Sequence, residues 1–176
     1  MGLEFTPNLG YLKHTTESGQ LLTAGDTAAQ HTVGTTYYDT KNDKTYVYVY
    51  AAAALTSQKA TYIVERGNST DIPYYAIAIA DTAYHGYVGA PATAITATTY
   101  GWVQVVGNVT AMTGLTSEAR TAGGQMDHTG GVLSYLASDN EGVTIPSVFG
   151  VVRVANTAAS TTGNVRLLGV KILPHT

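Results

Sequence analysis

Cysteine is absent from the 176 residues, and that removes disulfide frameworks, cysteine zinc sites, iron–sulfur clusters and thiol nucleophiles together. Charge is scarce. Asp, Glu, Lys and Arg make up 12% of the chain and the formal net charge is −3, against about 25% charged residues in an average soluble domain. So few cations do not suit a protein that tracks phosphates, and nucleic acid is not expected as a partner. No run approaches the roughly 18 consecutive apolar residues of a membrane helix, so no membrane partner is expected. Leu, Glu and Lys are thin, and no long stretch repeats apolar residues at 3, 4 and 7, which leaves helix little to work with.

What the chain has in quantity is Gly (19), Tyr (13) and Thr, the last about one residue in six. Aromatic and β-branched residues suit strands, and glycine suits the turns between them. Hydrophobic content of 44% excludes wholesale disorder. The length is about one domain's worth, enough to bury roughly 70% of the unfolded chain's surface. The composition predicts an all-β fold, a compact antiparallel β-barrel or β-sandwich. Few charges among many Tyr, Thr and Ala also make a surface that resembles a protein interface, because solubility normally relies on interspersed charge.

Residues 1–22 lack alternation and hold Pro7, Gly10 and Gly19. They read as an irregular N-terminal arm before a single β-domain over 23–176. Phe5, Leu9, Tyr11 and Leu12 are its candidate anchors on a partner or a neighbouring subunit. The opening residues match a myristoylation pattern only loosely and without a basic cluster, so we read the match as coincidence. No basic-then-apolar segment marks a signal peptide.

From Gly34 the pattern sharpens. TTYY (35–38), the turn-rich DTKNDK (39–44) and TYVYVY (45–50) predict two strands around a polar loop. On the second strand Tyr46, Tyr48 and Tyr50 share one face, and Val47 and Val49 the other, since successive side chains alternate. The valines are the expected core pair. The tyrosine stripe then meets a second layer or forms a binding surface. ATYIVE (60–65) and YAIAIA (75–80) are further strands, the latter with alanines on one face that implies close approach. The strongest strand is YGWVQVV (100–106), with Trp102, Val103 and Val105 assigned to the core and an end at Gly107-Asn108, a dipeptide suited to a tight hairpin or a bulge. Strands are also expected at 132–136, 148–155 and 165–173, the last two separated by a loop at 156–163, with both faces of the final strand mostly covered.

Chemistry is hard to find. His14, His31, His85, His128 and His175 lack the short paired spacing of a zinc site. GGQMDHTGG (123–131) sets Asp127 beside His128, but adjacent residues in a strand point apart, and a glycine-flanked segment reads as a turn. No serine sits in a nucleophile-elbow sequence. There is no phosphate-binding glycine loop, and 39–43 and 139–142 lack the full ligand series of a calcium loop. No catalytic, cofactor-binding or metal residue is assigned, no cofactor is expected, and an enzyme is not indicated.

GTTYYDTKNDKTYVYVYAAAAL (34–55), TTYGWVQVVGNVTAM (98–112) and FGVVRVANTAASTTGNVRLLGVKI (149–172) together resemble small head decoration, or cement, proteins of tailed bacteriophages. The resemblance covers about 34–173 and none of the arm. It implies a β-barrel or sandwich, often trimeric, that sits on the outer capsid surface of the virion and locks neighbouring capsomers together without catalysis. The implied partners are the major capsid protein and further copies of the chain, with Phe5, Leu9, Tyr11 and Leu12 as capsid or subunit contacts. A carbohydrate- or receptor-binding β-module is the alternative, because exposed Tyr and Trp stack on sugar faces. An outer-membrane barrel would also show Tyr-rich alternating strands and few charges.

Overall fold

Every regular element in the computed structural model is a strand, across the described residues 25–65, 74–78, 86–129, 132–136 and 148–172. The predicted arm, with Phe5, Leu9, Tyr11 and Leu12, lies outside them. The strands are β1 (Thr36–Asp39), β2 (Lys44–Ala51), β3 (Thr61–Glu65), β4 (Tyr74–Ala78), β5 (Gly86–Pro91) and β6 (Thr99–Arg120). They continue as β7 (Gln125–Thr129), β8 (Val132–Leu136), β9 (Val148–Val152), β10 (Asn156–Leu168) and β11 (Lys171–Ile172).

The β1–β2 hairpin forms where the sequence predicts it, with Tyr38 opposite Thr45 and Asp39 opposite Lys44. Its turn is organised by one carboxylate. Asp39 Oδ1 accepts hydrogen bonds from the Lys41 and Asn42 amides at 3.1 and 3.2 Å, and Oδ2 accepts one from Asn42 Nδ2 at 2.6 Å. An aspartate that binds the backbone two and three residues on is a turn-former, so the acids of 39–43 shape a turn.

Eleven strands belong to one hydrogen-bonded sheet with a sandwich-like arrangement, and β1 and β8 end its main path. The sheet as a whole does not close into a barrel. Within it, however, five strands pair in a circuit: β2 with β6, β6 with β5, β5 with β3, β3 with β4, and β4 with β2. All these ladders are antiparallel except β2–β4, where Tyr50 meets Tyr75 and Ala51 meets Ala76 in parallel. Val47, Val49, Ala51, Leu55, Ile63, Ala76, Ile95, Val103 and Val105 form one buried cluster drawn from the circuit. Aliphatic branching fills such a narrow space well, and each fully buried Val, Leu or Ile contributes about 1.5–3 kcal/mol. Val47, Val49, Val103 and Val105 are accordingly buried.

The backs of β3 and β5 carry Tyr62, Val64, Val88 and Ala90 into a second core. That core is completed by Val109, Met112, Leu115, Met126, Leu133, Phe149, Val152, Val165 and Leu167 from β6 to β10. Glu118 ties β8 to β6 across this layer, its Oε1 accepting the Tyr135 amide at 2.6 Å, while Thr116 donates its hydroxyl to the Leu133 carbonyl at 3.1 Å. Buried Arg120 binds across to β10, donating from Nη1 to the Ser160 carbonyl at 2.8 Å.

Several boundaries differ from the sequence expectation. The strongest strand does not end at Gly107-Asn108; β6 runs 22 residues, through Arg120. Gly107 sits at φ +96°, where a Cβ would land on the Asp43 carbonyl oxygen, and it pairs with Leu167 of β10 as Asn108 pairs with Arg166, in unbroken register, so the dipeptide lies inside a continuous strand and makes no hairpin; the neighbouring register shift is against β2, between the pairs Thr45–Val106 and Tyr46–Gln104. Further on, two residues of β6 face one of β10, between the pairs Met112–Gly163 and Val109–Val165. Ala111, at φ +56°, is the extra residue, and its amide donates to Asn164 Oδ1 at 2.9 Å. That side chain takes the place of a ladder carbonyl.

Residues 156–163 are likewise strand, part of β10, not a loop, because β6 extends far enough to pair with them. The expected single strand at 165–173 is broken at Gly169, which has φ +66°. The expected turn at 123–131 contains β7, paired to both β8 and β9.

The connection β2-to-β3 and the connection β5-to-β6 are built alike at an offset of 40 residues, from Leu55 to Ile95. Leu55 and Ile95 exchange backbone hydrogen bonds at 2.9 Å each way. The Gln58 amide donates to the Pro91 carbonyl, and the Thr98 amide donates to the equivalent Ala51 carbonyl, both at 2.7 Å. Gln58 and Thr98 share the left-handed backbone, at φ 56° and 62°. The two loops therefore clasp each other about an approximate two-fold axis at one end of the circuit.

Candidate functional site

The tyrosine stripe of β2 resolves into a buried aromatic cluster. Tyr37, Tyr46, Tyr48 and Trp102 pack together, with Val33 and Tyr100 against them. The cluster forms because β1, β2 and β6 lie side by side in register, which sets Tyr37 opposite Tyr46 and Tyr48 opposite Trp102. Both faces of β2 are thus covered, the valines by the circuit's interior and the tyrosines by the segment 26–35.

That segment crosses the cluster as a strap. Asp26 bridges Tyr100 on one side. On the other, the Gly34 amide donates to the Tyr48 carbonyl at 2.7 Å and the Tyr48 amide donates to the Thr35 carbonyl at 2.8 Å. Between these anchors the Gln30 amide donates to the Tyr48 hydroxyl oxygen at 3.0 Å, and that hydroxyl donates to Asp26 Oδ2 at 3.2 Å. The His31 ring stands edge-on to Tyr48 at 5.1 Å and tilted to Trp102 at 5.6 Å.

Burial dominates the electrostatics here. It pushes the Tyr48 phenol up to about 12, with the Gln30 amide opposing and Asp26 reinforcing. Tyr46 is also pushed up to about 12, by burial first and then by the charges of Asp39 and Tyr37. Burial lowers His31 against the pull of Asp26. Burial keeps the Tyr46 and Tyr48 phenols neutral, and the hydrogen bonds of the Tyr48 hydroxyl lock the strap to the sheet. Trp102 is 6% exposed, which removes it as a stacking platform for a sugar.

The surface with free apolar area lies elsewhere. Tyr38, Leu168 and Val170 are 54%, 40% and 41% exposed. Pairing registers put Tyr38, Thr45, Val106 and Leu168 in one row across β1, β2, β6 and β10, about 14 Å at the usual spacing between strands. The expectation that both faces of the last strand are covered fails here: Leu167 is buried in the second core, which turns Leu168 outward.

A polar clamp borders the row. Arg166 Nη2 pairs with Asp43 Oδ2 at 2.6 Å, and the Tyr38 hydroxyl donates to Asp43 Oδ1 at 3.2 Å. The Arg166 hydrogen bond, and then that of Tyr38, hold the Asp43 carboxyl below its ordinary value. The clamp joins the hairpin turn to β10 and orients the Tyr38 ring. Val154, 52% exposed, sits apart beyond β9.

The structure does not develop the site-like segment into a site. Asp127 and His128 are successive residues of β7, registered against Ser134 and Leu133 of β8. Asp127 is buried. Among the described residues, no group of three or more His, Cys, Asp or Glu converges to hold a metal ion. Sequence reasoning missed the row of Tyr38, Val106 and Leu168, whose members are far apart in the chain; the signal was Gly169, which interrupts the apolar run after Leu168.

No protein-family model matches the chain, and no curated protein does. Among solved structures it is similar to one described as the crystal structure of the head fiber gp8.5 N base in bacteriophage phi29. The TM-score is 0.41 with 13% identity, and the match covers 74% of this chain and 98% of that one.

Proposed function

We propose that the protein is a non-catalytic capsid decoration protein of a bacteriophage, binding the outside of the head through the row of Tyr38, Val106 and Leu168 and the neighbouring Val170. The observation that carries the reading is this apolar row on a chain with few charges. Exposed Tyr38 and Leu168, with half-buried Val106 between them, favour desolvated contact with another protein. The Asp43–Arg166 clamp presents Tyr38 in a set orientation, which lowers the entropy lost on docking.

The partner is the major capsid protein, and the chain acts as an oligomer, a trimer, with the arm of residues 1–22 reaching along a neighbour. Repetition then supplies strength. Once one subunit docks, the others bind intramolecularly, and avidity exceeds a single affinity by roughly 10² to 10⁴. The sequence resemblance to phage cement proteins agrees with this reading, and the buried state of Trp102, Tyr46 and Tyr48 counts against the glycan-stacking alternative.

The test is cryo-imaging of heads with and without the chain, followed by heating. Added density outside the shell and a higher disruption temperature are expected. Leu168→Asp with Val170→Asp should abolish the density while the melting profile of the free chain stays the same. Full occupancy by that double variant would reject the row as the docking surface, and the absence of any capsid-bound density for the unaltered chain would reject the function.

A further inference from the structure

The clasp at Leu55 and Ile95 has a counterpart at the far end of β6. Gln58 and Thr98, three residues past Leu55 and Ile95, take the left-handed backbone and donate to the carbonyls of Pro91 and Ala51. Gly123, three residues past Arg120, does the same at φ +86°, its amide donating to the Val152 carbonyl at 2.9 Å. Arg120 itself pairs with Asn156 as Leu55 pairs with Ile95.

The strands that lead out of the two clasps match in register. Gly89, two residues before Pro91, faces Thr61, and Gly150, two residues before Val152, faces Met126. Ala90 and Pro91 pair with Gln104 and Val103, as Val151 and Val152 pair with Arg166 and Val165. A Cβ on Gly89 would strike Val103 Cγ1, and one on Gly150 would strike the equivalent Val165 Cγ1, each at 2.6 Å. The domain is therefore one clasped pair of strand–loop–strand units followed by a second such pair, with β6 contributing a strand to each.

The two clasps differ in what fills them. Leu55 and Ile95 are buried in the circuit's interior cluster, whereas their counterparts are a guanidinium and a carboxamide. Arg120 is 2% exposed, and its Nε has no hydrogen-bond partner among the described residues. The Ala51 carbonyl accepts the Thr98 amide; the Thr116 carbonyl, at the equivalent place, accepts Arg120 Nη2. Asn156 Nδ2 donates to the Thr162 carbonyl at 2.8 Å. The register shifts of the β6–β10 ladder all fall between Asn156 and Val165, beside this clasp. A buried charge with a donor left unmatched is costly, and a partly satisfied polar network holds less firmly than an apolar filling of similar volume.

We propose that the second clasp is a latch, at which the segments 117–124 and 153–162 part as a unit while the first clasp stays shut. Ala119, Ala122, Ala155 and Ala158 of these segments are already exposed, so parting them uncovers little further apolar area, and local opening is easiest where little is buried. The latch is a property of the free chain and is independent of the capsid reading.

Amide hydrogen exchange on the purified chain, read residue by residue and corrected for intrinsic rates, tests this. Gly123, Gln58 and Thr98 are all exposed, and each donates to a carbonyl across its clasp. Gly123 should exchange at least about fivefold faster than the other two, the low end of the difference between buried ionic and apolar fillings. Val152, whose amide donates to the Gly124 carbonyl at 2.8 Å, should open with the same free energy as Gly123. Equal or slower exchange at Gly123, or a Val152 amide that stays protected while Gly123 exchanges, overturns the proposal. Arg120→Leu with Asn156→Leu gives the second clasp an apolar filling. That variant should slow Gly123 and Val152 by at least about fivefold and leave Gln58 and Thr98 as they were. Unchanged or faster exchange at Gly123 in the folded double variant also overturns the latch. Should the double variant not fold, the comparison of the two clasps in the unaltered chain decides alone.

Discussion

Over 99–107, β6 is buried at nearly every residue, whereas over 108–120 the buried positions are Val109, Met112, Leu115 and Arg120, with exposed or half-buried residues between them. The same strand obeys two rules because its surroundings change along its length. The first part has the circuit's interior on one side and the aromatic cluster, under its strap, on the other. The second part has a core on one side and solvent on the other. A strand covered on both faces needs apolar residues throughout, and one covered on a single face needs them at intervals. From Val109 through Met112 to Leu115 the interval is three and not two, since Ala111 and Gly114, at φ 56° and 84°, break the regular alternation.

Substitutions can test that contrast, the heaviest first. Trp102→Ala should cost about 3–5 kcal/mol in denaturant melts, because the ring fills the cluster beneath the strap; a neutral effect would place it outside the core. In the second half, Met112→Ala should cost about 2–5 kcal/mol, while Thr110→Ala, at an exposed position, should stay within about 0.5 kcal/mol. Similar losses at the two positions would contradict the one-sided burial. Asn164→Ala should cost about 0.5–1.5 kcal/mol, the net worth of an ordinary hydrogen bond, because the exposed Ala111 amide turns to water instead; no loss of stability would show that the bulge is not held by that side chain.

The pH dependence sharpens the comparison further. Tyr46 and Tyr48, pushed up to about 12, stay neutral when unfolded tyrosines ionise near pH 10. The native state therefore binds more protons in that range. The stabilisation is fully present below about pH 10 and is lost as pH rises towards 12. Phenolate absorbance should show a late step that coincides with unfolding; completion of every tyrosine titration near pH 10 in the folded chain would refute the burial of these two. The smallest effect is expected at the exposed clamp. Asp43 is lowered by Arg166 and Tyr38, so its contribution holds above the ordinary carboxylate range and fades as pH falls through its depressed value. Asp43→Asn should flatten the acid limb of the stability curve slightly, and a steeper limb would count against the clamp.

Much of the fold was legible because its signals are local. The turn at 39–44 is rich in Asp, Asn and Lys around alternating strands, and the strand at 132–136 is a short apolar run with its own boundaries. The errors arose where a local signal has two outcomes. Gly107-Asn108 reads equally as a hairpin or a bulge, and only pairing with Leu167 and Arg166 of β10 carries the strand straight through it. Residues 156–163 are small and polar, as in a loop, yet they are strand because β6 continues opposite them. The repeat was available as Ala-Leu-Thr (54–56) and Ala-Ile-Thr (94–96) at equal offset, but such short phrases acquire meaning only once the two loops are seen to clasp.

By itself the amino-acid order determined the strand class, the scarcity of charge and the lack of thiol chemistry, because composition and side-chain alternation act over a few residues. Tertiary structure decided which tyrosines are hidden and which apolar residues are left outside, because burial depends on what lies across the sheet. Tyr38 and Tyr48 stand in similar stretches of Tyr and Thr. One lies under a strap anchored by Asp26 and Gly34, the other on an open row beside Arg166, a residue more than a hundred positions away.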